Sequence, residues 1–295
     1  MQQESIYITE GEEQLHLRHI WQRKGGVPIF MLHGLIENGF IFYTEKGKGL
    51  ACYLAEQGFD VYVADLRGRG KSLPAINSQS TFGQHETITC DIALFLEKIQ
   101  SINPQKMHLI AHSWGGVLIS SFLARYPKWL DKVTRKTCFG TKRVVTAKTM
   151  EAYFKLGFMW RYIAPILAKK NGYFDAKKFR FGSDSETKKS LEESITWVIP
   201  GKWHDLNDGF DYYTAAQNIT WPPTWHLTGI SDYALGHQQD VQLFIDECNN
   251  RNAKFSVLSK QAGNQVNYDH INILTHPNTV NDHFPKLALW LKGFS

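Results

Sequence analysis

The run from Met107 to Pro127, MHLIAHSWGGVLISSFLARYP, constrains this chain more than any other stretch. Its first six residues read as a buried strand, and the residues after Gly115 read as a helix that Pro127 ends. Only His112, Ser113, Trp114, Gly115 and Gly116 stand where one passes into the other. Such a passage requires a very tight turn. The small residues Ala111, Gly115 and Gly116 leave room for it and put the single hydroxyl of Ser113 at its apex. The pattern is that of Gly-x-Ser-x-Gly, with Ala111 in place of the first glycine.

Around this run, short apolar segments alternate with helical patterns, which points to an α/β fold with a largely parallel sheet. The strands are expected at Ile6–Thr9, Leu15–Gln22, Val27–His33, Asp60–Asp65, Met107–His112, Val133–Gly140, Thr224–Thr228 and Lys254–Leu258. The first two are close enough to pair antiparallel. Helices are expected around 47–57, 86–101, 115–126, 238–250 and 278–292. Between 141 and 221 the alternation stops, and a helical, aromatic segment takes its place. The expected organisation is therefore a core of residues 1–140 and 222–295, with 141–221 inserted before the penultimate strand as a helical cap. Functional lids are often built this way. Phe154, Phe158, Trp160, Trp197 and Trp203 are more large side chains than a small insertion can bury internally, so some are expected to face a site.

Composition excludes several classes. With 43% hydrophobic and 21% charged residues, the chain of 295 residues has ordinary globular composition and is not disordered. The net charge of +5 is modest. Its lysine pairs, at 169–170, 177–178 and 188–189, are broken up by aromatic, glycine and acidic residues, as on solvated faces rather than a nucleic-acid surface. The four cysteines are far apart, with no metal-ligand spacing. Cys52, Cys90 and Cys138 lie in apolar segments and read as small core residues. Residues 1–10 lack a basic start and apolar core, and no apolar run reaches the ~18 residues of a membrane span. A cytoplasmic location is the expectation.

A serine hydroxyl is a poor nucleophile near neutrality and needs a base, which in turn needs an orienting group. In a strand–turn–helix setting of this kind the chain order is serine, then carboxylate, then histidine. Asp232 follows the strand at 224–228; Asp240 and Asp246 are alternatives in the next helix. His270 follows the last strand; His276 and His283 are alternatives. His276 precedes Pro277, a good first helical residue, so it is expected to start the last helix, with His283 inside it. His112 is expected to pack the turn at Ser113. The RGRGKS run after Asp65 lacks phosphate-loop spacing and reads as a structural turn.

Five segments in order, MLHGL at 31–35, DLRGRGKS at 65–72, AHSWGG at 111–116, GISD at 229–232 and YDHINILTHP at 268–277, resemble those of α/β-hydrolases. Together they span almost the whole chain, and in detail they are most similar to the acid-lipase branch. The resemblance implies the α/β-hydrolase fold, with a mostly parallel central sheet flanked by helices and a helical cap before the penultimate strand. It implies a carboxylic ester hydrolase working through an acyl-enzyme, with Ser113, Asp232 and His270 as the triad. The backbone N–H groups of Leu35 and Trp114 would form the oxyanion hole. No cofactor or metal is called for, and the implied partner is a small-molecule ester with hydrophobic acyl or aromatic groups. Acyl transfer by the same triad and non-catalytic ligand binding on this fold are the other readings.

Overall fold

The computed structural model describes residues 1–294. Over these residues, β1 (Gln2–Glu10), β2 (Glu13–Trp21), β3 (Pro28–Leu32), β4 (Asp60–Asp65), β5 (Met107–His112) and β6 (Val133–Phe139) form one sheet with β9 (Thr224–Gly229) and β10 (Lys254–Leu258). Two short strands, β7 (Tyr173–Phe174) and β8 (Glu186–Thr187), make a separate antiparallel ribbon. The order across the sheet is β1-β2-β4-β3-β5-β6-β9-β10. The β1–β2 and β2–β4 pairs are antiparallel, and all other neighbours are parallel. Every residue of β3, β4 and β5 is buried, which is why these strands read as continuous apolar runs instead of alternating ones.

The pleat divides β3 between two cores. Phe30 and Leu32 pack with Phe95, Leu109, Val117 and Phe122, beneath the helices Ile92–Ile102 and Trp114–Arg125. Ile29 and Met31 pack on the other side with Leu54, Ile110 and Leu287, beneath the helices Leu50–Glu56 and His283–Leu291. Each such side chain contributes ~1.5–3 kcal/mol by leaving water.

Between β6 and β9 the chain forms a π-helical run, Tyr153–Ile163, and the helices Ala164–Asn171, Lys188–Trp197 and Tyr212–Gln217. The β7–β8 ribbon among them is absent from the sequence reading; two-residue strands leave no periodic trace. Trp197, Trp203 and Tyr212 join the buried cluster that contains Phe122. Phe154 and Phe158 instead lie on the outside, 61% and 51% exposed.

Two acids of this segment grip the loops that follow β3 and β4. Asp184 Oδ2 accepts from Asn38 Nδ2 at 3.1 Å and from the Gly70 N–H at 2.6 Å. Glu186 Oε2 accepts from the Ile36 N–H at 3.1 Å, and its other oxygen is ion-paired with Arg69.

Three sequence expectations are corrected. The last helix is two elements, a 3-10 turn at Pro277–Asn281 and the helix His283–Leu291. They separate at Asp282 because its carboxylate accepts from Asn264 Nδ2, the Gln265 N–H and the Tyr268 hydroxyl at 2.8–2.9 Å. His276 therefore caps the 3-10 turn, not the helix: its Nδ1 accepts from the Asn278 N–H at 3.1 Å. Cys90 is not a core residue; its half-buried thiol donates to the Glu10 carboxylate beside Arg67.

The RGRGKS run is a structural turn. Buried Asp65 holds it by accepting from the Lys71 N–H at 2.9 Å, while its other oxygen accepts from the Gly39 N–H at 2.7 Å. No helix among the described residues is long and apolar enough to cross a membrane.

Candidate active site

Strand order reverses at β3: the chain leaves it for β4 on one side and then crosses to β5 on the other. Loops at the carboxyl ends of two such strands diverge and leave a crevice. This topology brings His33-Gly34-Leu35, leaving β3, against Ser113, leaving β5. A Cβ on Gly34 would lie 2.8 Å from that of Ser113, so the position admits no side chain without a shift.

Ser113 has φ 51° and ψ −127°, a conformation that costs a non-glycine residue ~1–3 kcal/mol and persists only where its surroundings fix it. Here the Ser113 N–H donates to the Phe139 carbonyl at 2.7 Å, and its own carbonyl accepts from Thr141 Oγ1 at 2.9 Å. Gly115 is required because a Cβ there would strike the carbonyl oxygens of Leu32 and His33. Gly116 is required because one there would strike the Thr141 side chain.

The remaining strand ends are stitched in sequence. The Gly140 N–H donates to the Leu227 carbonyl, Ile230 to Leu258 and Ser231 to Tyr268. Asp232 and His270 thereby meet, with His270 Nδ1 2.6 Å from Asp232 Oδ2. The carboxylate accepts, so Nδ1 carries the hydrogen and Nε2 keeps its lone pair in the neutral ring. The other Asp232 oxygen accepts from the N–H groups of Leu235 and Gly236 at 2.9 and 2.8 Å. Burial alone would raise the Asp232 pKa, but the His270 imidazole and the Gly236 N–H hold it below the usual carboxylate value.

Ser113, Trp114, Leu35 and His270 all line one cavity of about 880 Å³. Its walls are mostly apolar and include Phe40, Ile41, Leu156, Trp160, Phe181 and Val198. Of the insertion's aromatics singled out in the sequence, Trp160 faces this cavity.

The N–H groups nearest the serine are unequally used. Gly34 N–H donates to Glu37 Oε2 at 2.9 Å and Ile36 N–H to Glu186, while Leu35 N–H between them has no hydrogen-bond partner among the described residues. Trp114 opens the helix that follows Ser113, so its N–H is one of that helix's free donors. The Trp114 indole is anchored by Gln84 Oε1 at 2.6 Å.

The alternatives lie elsewhere. Asp240 Oδ1 accepts from the Thr146 N–H and hydroxyl. Asp246 sits on the helix Gln238–Glu247 and accepts from Gln242. His283 Nε2 is bonded to the Ile273 carbonyl.

Glu37 carries no signal in the sequence, because its partner is 75 residues away. Its Oε2 also meets His112 Nδ1 at 2.8 Å, and His112 Nε2 meets the His270 carbonyl at 2.9 Å. Both nitrogens of this fully buried ring face acceptors, which calls for an imidazolium paired with a carboxylate. Burial opposes both charges. The pairing wins: Glu37 falls from 4.5 to about 2, and His112 rises above its ordinary value. His112 thus does more than pack the turn, since it fastens the backbone of His270 to the loop after β3. Glu37, His112 and His270 also bring ligand-type atoms within 4.8 Å of one another. Glu37 and His112 are paired with each other, and His270 Nδ1 with Asp232.

A family model described as the alpha/beta hydrolase fold matches residues 27–193. The chain belongs to that family. It is 28% identical over 127 residues to a probable lysophospholipase L2 of Haemophilus influenzae, covering 43% of this chain and 40% of that one. It is likewise 28% identical over 102 residues to triacylglycerol lipase 1 of Arabidopsis thaliana, covering 32% and 26%. These matches thus span less than half the length of either relative. Among solved structures, a soluble variant of monoglyceride lipase from Saccharomyces cerevisiae superposes with a TM-score of 0.71 over 99% of this chain and 95% of that one, at 16% identity. That likeness is one of fold.

Proposed function

We propose that the chain hydrolyses carboxylic esters with hydrophobic acyl or aromatic groups through an acyl-enzyme on Ser113. The observation that carries this reading is the free N–H of Leu35, held between two amides tied to carboxylates and set beside a strained serine. His270 Nε2 takes the proton of Ser113 as its oxygen attacks the ester carbonyl. The resulting oxyanion is held by the N–H groups of Leu35 and Trp114, each donor of this kind supplying ~3 kcal/mol. Asp232 stabilises the imidazolium. His270 then returns the proton to the leaving alkoxide, and water, activated by the same nitrogen, releases the acid. Residues 141–221 act as a cap whose Leu156, Trp160 and Val198 wall the cavity, excluding water and receiving apolar groups.

Names of relatives agree with this chemistry: lysophospholipases and triacylglycerol lipases cleave carboxylic esters. The test is labelling by a fluorophosphonate probe, which requires an activated serine, together with hydrolysis of p-nitrophenyl esters from acetyl to dodecanoyl. Labelling that disappears in Ser113→Ala and His270→Ala, with kcat/KM rising into the medium chains, is the expected result. An unlabelled native protein removes the hydrolase reading, and a kcat/KM that falls from acetyl onward removes the hydrophobic cavity as its substrate site.

A further inference from the structure

We infer that the cavity takes an amphiphile bearing an anionic group, and that Lys142 meets that anion. The inference rests on the hydrolase reading for its substrate class, an anionic ester, but the binding site itself stands on the charges of the wall. Four cations line the cavity, Lys142, Lys155, Lys177 and Arg180, against a single carboxylate among the described residues, Glu37. That carboxylate is already committed to Gly34 and His112. Lys155 is paired with Glu151 at 2.5 Å and Lys177 with Asp184 at 3.1 Å, and Arg180 is exposed to solvent.

Lys142 is different. It lies two residues past Gly140, where a Cβ would come within 2.9 Å of the His270 ring, so its backbone is at the reaction centre. It is 6% exposed and has no hydrogen-bond or ion-pair partner among the described residues. Burial pushes its ammonium down to about 8, against the pull of Asp240 and Asp232 at a distance. Neither carboxylate is in ion-pair contact with Lys142: Asp232 is bonded to His270, Leu235 and Gly236 and Asp240 Oδ1 to Thr146, while Asp240 Oδ2 is buried without a hydrogen-bond partner. A charge held in an apolar wall without a contact partner is costly, and an anion delivered by the ligand removes that cost. The surrounding apolar surface takes the chain. Because Lys142 is near His270, the anion belongs close to the ester bond rather than at the far end of the chain. A phosphate on the alcohol portion and a carboxylate on a short diacid share this chemistry.

Calorimetric binding to Ser113→Ala protein separates them without any turnover. Octyl phosphate, octanoate and octanol are the probes. At least one anion is expected to bind tenfold or more tightly than octanol; the tighter of the two identifies the headgroup. Lys142→Met in the same background abolishes the preference, Lys142→Arg restores it, and circular dichroism verifies folding. Equal binding of all three probes by Ser113→Ala protein overturns the proposal, as does a preference that survives in folded Lys142→Met protein. Fluorophosphonate labelling of the native protein tests the hydrolase reading separately: an unlabelled protein that still prefers the anion keeps this site and loses that reading.

Discussion

Replacing Glu37 with glutamine tests the buried pair beneath His270. Glutamine is isosteric, and with its amide oxygen in the place of Oε2 it still accepts from the Gly34 N–H, so the shape survives and the charge goes. The fall of the Glu37 pKa from 4.5 to about 2 corresponds to about 3 kcal/mol of folding free energy. A carboxyl whose pKa is lower in the folded state contributes this stability above pH 4.5 and loses it as the pH falls towards 2. His112 has a raised pKa, so the same pair, counted once, also weakens as the pH climbs through that raised value. Native protein is therefore expected to exceed Glu37→Gln by about 3 kcal/mol at pH 6 and by about 1 kcal/mol at pH 3. Urea unfolding followed by tryptophan fluorescence at the two pH values gives the difference directly. A gap that is the same at both, or wider at pH 3, refutes a charged Glu37–His112 pair.

Asp232→Asn should lower kcat for p-nitrophenyl esters by several orders of magnitude while changing KM little, because the wrong His270 tautomer is then favoured; Asp240→Asn should keep near-normal turnover. The reverse pattern moves the acid to the helix Gln238–Glu247. His276→Ala should retain most activity, since that ring only caps a turn, and an inactive but folded variant would contradict His270 as base. Gly115→Ala places a methyl on main-chain oxygens that cannot move aside, so a loss of about 1–3 kcal/mol and of fluorophosphonate labelling is expected in thermal melts and gels. A stable, fully labelled Gly115→Ala protein would show that the turn at Ser113 tolerates a side chain there.

The sheet was legible because its central strands are apolar on both faces and bounded by turn residues, a signal that needs no partner to be read. The turn at Ser113 was legible for the same reason: Gly115 and Gly116 answer to atoms of Leu32, His33 and Thr141, but their smallness shows in the sequence alone. Asp232 and His270 could be ranked above Asp240, Asp246, His276 and His283 from strand ends, and the structure brings that pair together. What escaped was long-range and polar. Glu37 looks like any loop glutamate until β3 and β5 are placed side by side. Asp282 looks helical until three donors from residues 264–268 converge on it. Cys90 sits among apolar neighbours in sequence, yet its side of the helix faces Glu10. Lys142 reads as one half of a Lys-Arg pair and says nothing of the cavity it lines.

Asp184 and Glu186 give the insertion a second consequence, for protein engineering. Exchanging residues 141–221 for the corresponding segment of another family member is the obvious way to transplant substrate preference. In this chain the exchange also removes the two carboxylates that hold the amides of Ile36 and Gly70 and the side chains of Asn38 and Arg69. The donor segment must then supply matching acids, or the graft leaves Arg69 buried without its counter-charge and frees the Ile36 amide beside Leu35. Chimeras of this scaffold should therefore be cut to retain residues 184–186, or carry the loops after β3 and β4 along with the graft.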